Sequence, residues 1–127
     1  MENAISKSAL KELQANAETM TDFEFRQQGN AMLQACGKIV EKAQKESKTA
    51  TKEYIDAAKI EINVLKGMIE SDEYTSEDKK LFAERIAKLV NSFRENKWVK
   101  DILLFGSICL FAGLVVKAIK DTIVDKK

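Results

Sequence analysis

The sequence contains no histidine and no proline, and it has only five glycines and two cysteines among 127 residues. Without histidine, the chain lacks the commonest general base and the commonest metal-ligating side chain. A β-sandwich or a β-barrel needs many tight turns, and glycine and proline are among the residues that form them. These absences exclude histidine-based catalysis and favour an all-α fold.

The few cysteines and glycines do not form a recognisable motif. Cys36 and Cys109 lie far apart in the sequence, at a spacing that matches neither a disulfide framework nor a metal site. The glycines never cluster into a phosphate-binding loop. We therefore predict no catalytic residue, no metal ligand and no cofactor, and we expect a protein that is not an enzyme.

The charges are numerous and balanced. There are 21 basic and 20 acidic residues, so the formal net charge is +1. A nucleic-acid binder usually concentrates basic charge, and we therefore expect no nucleic-acid partner. Residues 1–13 carry charges and have no apolar core, which is unlike a secretory signal peptide. We expect the N-terminal region to be cytoplasmic.

Apolar residues that recur at steps of three and four predict three helices before residue 97, at about 3–20, 22–71 and 77–96. Thr21 and Glu24 have the spacing of a capping box, in which each side chain accepts the other residue's backbone N–H. Thr75 or Ser76 is expected to cap the third helix.

The middle of the second predicted helix is weakly apolar. Between Glu41 and Glu53, alanines are the only apolar residues, and a basic row is best explained as a solvated helix face. Serine and threonine between Ser47 and Thr51 could bend the chain. Because glycine and proline are absent there, we predict one continuous helix.

Residues 102–116 form a run of fifteen positions without a charge. A bilayer core requires roughly 20 helical residues, and the run reaches that length if flanking lysines extend to the interface over 98–119. The predicted membrane-anchor residues are those at the two ends and two leucines inside the run: Trp98, Lys100, Leu104, Leu110 and Lys117.

This segment has no polar stripe, so a helix there would have to be covered on every side. We expect a small protein to have too few helices to do so, which leaves a lipid bilayer or another subunit as the cover. Small residues permit close helix approach in membranes. We therefore predict that Gly106, Cys109 and Gly113 make helix–helix contacts and that the protein forms a homo-oligomer.

Together these patterns predict an all-α fold. Residues 1–97 would form an elongated helical bundle or hairpin with coiled-coil-like packing, and residues 98–127 a hydrophobic transmembrane helix with a short basic tail. The preferred function is a tail-anchored, membrane-associated adaptor that binds a protein partner or itself. The alternatives are a small pore-forming protein of the holin or toxin type and a soluble helical bundle of the immunity-protein or antitoxin type.

Overall fold

The computed structural model describes residues 5–46, 52–99, 105 and 109–125, with side chains up to 121. The described residues form five α-helices that pack into one compact bundle. Their bounds are α1 Lys7–Glu18, α2 Asp22–Glu46, α3 Lys52–Ile69, α4 Ser76–Glu95 and α5 Leu110–Asp125. The all-α prediction is confirmed, but the bundle is compact where an elongated one was expected.

Side-chain caps define the start of three helices. Ser6 accepts the N–H of Ala9 at the start of α1. At α2, Thr21 and Glu24 make the reciprocal capping box that the sequence predicts, with N···O distances of 3.0 and 3.1 Å. Thr75 and Asp78 form a second capping box at α4. Each cap satisfies backbone N–H groups that the first turn of a helix leaves unpaired.

Helices α2 and α3 pack against each other as an antiparallel hairpin, where the sequence predicts one helix over 22–71. Arg26, near the start of α2, donates to the backbone oxygens of Ser71 and Asp72, just after the end of α3. The predicted bend region from Ser47 to Thr51 lies outside the described residues. The hairpin forms because it buries an apolar face of each helix. The free energy gained by this burial exceeds that of the few backbone hydrogen bonds that one continuous helix would keep.

The core is centred on α4, which packs against α1, α3 and α5. Four aromatic rings meet where α2, α4, α5 and the loop before α4 come together: Phe25, Tyr74, Phe82 and Phe111. Their centroids lie 4.8 to 6.3 Å apart, within the range of favourable ring contacts. The first helix packs chiefly against α4 and α5, which come late in the sequence.

The structure does not support the predicted membrane-spanning helix over 98–119 in the residues that it describes. No helix in that part combines the length and the apolar character that crossing a bilayer requires. Within the predicted span, α5 starts only at Leu110, and its later turns carry charges such as Lys117 and Asp121. Its inward side is buried by α1, α2 and α4: Phe111, Ala112, Val115, Val116, Ala118 and Ile119. In the described part of the segment, other helices of the same chain therefore cover one side of α5, a cover that the sequence did not lead us to expect.

Candidate functional site

The predicted anchor and contact residues near α5 lie in three different settings. Trp98 packs on Phe93, with ring centroids 5.5 Å apart, and is half-buried. Leu110 is 64% exposed at the start of α5. Lys117 is exposed and forms ion pairs with Glu12 and Asp121, both at 3.2 Å. The hydrogen bond with Asp121, and then that with Glu12, raises the pKa of Lys117. Three further residues, Lys100, Leu104 and Gly106, lie outside the described part of the chain.

The two small residues of that set that the structure describes have different surroundings. A Cβ atom added to Gly113 would meet no heavy atom within 4 Å. The half-buried Cys109 thiol lies 3.6 Å from the backbone oxygen of Gln28. Burial raises the pKa of the Cys109 thiol, so it is not activated as a nucleophile.

A row of apolar and small side chains occupies the solvent-facing side of α3. Ala57, Ile60, Val64 and Gly67 follow one another at steps of three and four residues, so they share one helix face. All four positions are exposed, with Ile60 at 64% and Val64 at 39%. This row is called the α3 outer face below.

The α3 outer face lies opposite the side of α3 that the bundle buries. The buried residues are Ile55, Ala58, Leu65 and Ile69. At 100° per residue, Ile60 lies about 180° from the centre of that set. Most equivalent outward positions of α2 are polar, as at Asn30, Gln34 and Glu41, although Phe23 in its first turn is 69% exposed. Isoleucine and valine are also weaker helix formers than lysine or glutamate. The packing of the bundle therefore does not account for these two side chains.

A shallow groove of about 470 Å³ runs between α3 and α4, beside the α3 outer face. It is lined by Glu61 from α3 and by five residues from α4: Leu81, Glu84, Arg85, Lys88 and Leu89. Leu81 is 46% exposed. Because Glu61 lies three residues before Val64, the groove adjoins the α3 outer face. This cavity is called the α3–α4 groove.

A bidentate ion pair joins the two sides of the α3–α4 groove. The Arg85 guanidinium donates two hydrogen bonds of 2.7 Å to the carboxylate oxygens of Glu61. These bonds raise the pKa of Arg85. A bidentate arginine–carboxylate pair has a defined geometry, unlike a single exposed contact. Lys88, the second basic residue of the groove, is paired with Glu84 at 3.0 Å, so each of the two basic side chains has an acidic partner.

The α3 outer face is not among the surfaces that the sequence pattern predicts. The sequence does contain an indication of this face, because residues 60–69 are apolar on two sides of a helix. One side suffices for the core, and Ile60 and Val64 lie on the other. Such a surplus indicates a second covered face.

The described residues contain neither a metal-binding cluster nor a cysteine with a lowered pKa. No set of three or more histidine, cysteine, aspartate or glutamate side chains there could hold a metal ion. Cys36 is fully buried, and burial raises the pKa of its thiol to about 12. A neutral, inaccessible thiol packs as a small apolar group.

Comparisons with known proteins do not identify relatives of this chain. No protein-family model matches it, and neither a curated protein nor a solved structure is significantly similar to it.

Proposed function

We propose that this protein is a non-enzymatic interaction protein that binds an amphipathic helix of a protein partner. The binding surface is the α3 outer face together with the adjoining α3–α4 groove. One observation carries the proposal: Ile60 and Val64 are exposed in a helical row that the packing of the bundle does not require.

The shape of this surface suits a helix better than a flat or extended ligand. The two large side chains lie at the centre of the row, and the small residues Ala57 and Gly67 lie at its ends. Small residues at those positions would let a second backbone approach closely. The apolar residues Leu81 and Leu89 in the α3–α4 groove extend the contact area to one side. An amphipathic helix binds such a surface with residues spaced three and four apart.

The bilayer partner and the pore-forming alternative both depended on a spanning helix over 98–119. The described residues contain no such helix, and neither function forms part of this proposal. A protein partner is compatible with the bundle as described, because its binding surface lies outside the core.

The proposal is tested with a photoreactive amino acid at position 60, introduced into the protein in the cells that produce it. We expect a covalent adduct with a second polypeptide, identified by mass spectrometry, and we expect Val64→Glu to remove the adduct. The matched control places the same photoreactive residue at Gln34, an exposed polar position on α2. Equal adduct yields from positions 60 and 34, or no adduct from position 60, would contradict the proposal.

The loss of binding must be separated from loss of folding. Because Ile60 and Val64 are exposed, Ile60→Gln and Val64→Glu should each change the free energy of unfolding by less than about 0.5 kcal/mol. Ile69→Ala, at a buried position of the same helix, should cost about 2–5 kcal/mol. Urea denaturation of the three variants makes this comparison.

A further inference from the structure

We infer that the partner helix is basic, with lysine or arginine beside its apolar row. This inference depends on the proposed function, because it describes what binds to the same surface. It follows from the positions of the charged residues around the α3 outer face.

The charged side chains nearest to the α3 outer face are acidic. In the seven-residue repeat that places Ala57 and Val64 at equivalent positions, Asp56 and Glu61 occupy the flanking positions on opposite sides. Glu53 continues the row one turn earlier and is exposed. A helix bound along the row would carry its own flanking residues next to Glu53 and Asp56; the carboxylate of Glu61, on the groove side, is already paired with Arg85.

The basic residues of α3 lie further from the row. Lys52, Lys59 and Lys66 repeat every seven residues and are rotated about 100–140° from the centre of the row at 100° per residue. Lys52 forms an exposed pair with Asp56 at 3.3 Å, in which 89% of the lysine side chain is accessible. An exposed pair of this kind contributes little and can exchange for a closer cation.

The same charges oppose pairing of the row with a second copy of itself. An antiparallel pair that aligns Ile60 with Val64 would place Asp56 beside Glu70 of the second copy, and Glu61 beside the other Glu61. A parallel pair would place Asp56 beside Glu61. In helix pairs the flanking charges determine which partners are accepted, and like charges reject a partner. A basic helix avoids these repulsions.

The test uses three synthetic peptides of about 21 residues, or three heptads. The basic peptide has leucine at the two core positions and lysine at the two flanking positions of each heptad. The acidic peptide has glutamate in place of those lysines, and the third peptide is a scrambled form of the basic one. Binding to the full-length protein is measured by fluorescence anisotropy at about 0.1 M and about 0.5 M NaCl.

We expect the basic peptide to bind at least about tenfold more tightly than the acidic peptide at the lower salt concentration, and the ratio to shrink at the higher one. The double variant Glu53→Lys/Asp56→Lys should reverse the preference. The matched control, Glu41→Lys/Glu46→Lys, makes the same change in net charge on exposed positions of α2 and should leave the preference unchanged.

The possible failures are distinguishable. If the acidic peptide binds as tightly as the basic one, and Val64→Glu abolishes both, the surface binds helices but the basic partner is wrong. If the scrambled peptide equals the basic one, the binding reports net charge alone and the inference fails. If no peptide binds in a manner that depends on Val64, while position 60 still gives its specific adduct, the partner is not a basic helix. If that adduct is also missing, the proposed function fails as well.

Discussion

The side-chain oxygen of Gln28 accepts a hydrogen bond from the backbone N–H of Phe111, 83 residues later, at an N···O distance of 2.6 Å. Phe111 lies in the first turn of α5, where backbone N–H groups have no partner within the helix. A residue of α2 therefore caps α5 from outside. This bond links the start of α5 to α2 at the cluster where Phe25 and Phe111 face each other.

Replacing Gln28 with alanine should destabilise the protein by about 0.5–2 kcal/mol, the range for loss of a helix cap. The amide of Phe111 should also exchange faster with deuterium, because its acceptor is gone. Urea denaturation and hydrogen exchange measure the two effects. Gln27→Ala, at the adjacent exposed position, is the control and should change neither. An unchanged exchange rate in Gln28→Ala would show that the bond does not hold α5.

Lys97 has a positive φ of 63° at the end of α4. The turn there is a Schellman motif, because the N–H of Trp98 bonds to the oxygen of Phe93 and the N–H of Lys97 to that of Arg94. Glycine adopts this conformation without the steric cost that a side chain has. Lys97→Gly should therefore stabilise the protein by about 0.5–1 kcal/mol in thermal or urea denaturation.

The control for that change is Lys97→Ala, which removes the charge and keeps the Cβ atom. It should give no comparable gain. Equal stabilisation by both substitutions would mean that the lysine charge, and not the backbone conformation, determines the effect.

Gly29 and Gly37 lie on the same helix and should respond to alanine in opposite ways. A Cβ atom at Gly29 would lie 2.4 Å from Cδ1 of Ile69, a side chain that is itself 1% exposed. Relieving this overlap should cost about 1–3 kcal/mol. A Cβ atom at Gly37 meets nothing within 4 Å. Gly37→Ala should therefore raise the free energy of unfolding by about 0.8–1 kcal/mol, because alanine has the higher helix propensity. Denaturation midpoints of the two variants should move apart; a shift in the same direction would contradict the packing.

The buried thiol of Cys36 should make stability fall at high pH. Burial raises its pKa to about 12 from an ordinary value of 9.0, so above pH 9 only the unfolded chain releases this proton. Ionisation then favours the unfolded state, by about 1.4 kcal/mol per pH unit at most. The contribution of the buried thiol to stability is fully present below the pKa that Cys36 has in the unfolded chain. It is lost as pH rises toward the higher pKa of the folded state.

Cys36→Ala serves as the comparison, because it lacks this proton. At pH 7 the variant should be less stable by about 1 kcal/mol through lost packing. The difference in unfolding free energy between the wild-type protein and the variant should shrink above pH 9 and change sign at about pH 10. If the difference in unfolding free energy stays constant from pH 7 to pH 10, the thiol is not protected as described.

Much of the local structure could be predicted from the sequence, because caps and helix faces depend on residues a few positions apart. Thr21 and Glu24 form the predicted box, and the third predicted helix, at about 77–96 with Thr75 as a candidate cap, corresponds to α4. The hairpin of α2 and α3 could not be predicted in this way. It depends on which apolar faces meet across the bundle, and neither glycine nor proline marks a break.

The hydrophobic segment shows the same limit. Its lack of a polar stripe suggested a cover of lipid or a second chain, because the number of neighbouring helices was underestimated. Three helices surround α5, and Gln28, which caps it, lies 83 residues before Phe111. The α3 outer face was missed because Ile60 and Val64 lie among core residues of the same helix.

The position of α1 against α4 and α5 has a consequence for synthesis on the ribosome. The hairpin of α2 and α3 can pair as soon as both helices have emerged. The apolar side of α1, formed by Ala9, Leu13 and Ala17, has no main partner until α4 and α5 are made. This helix should therefore dock later than the hairpin pairs, and until then it is a natural target for a nascent-chain chaperone.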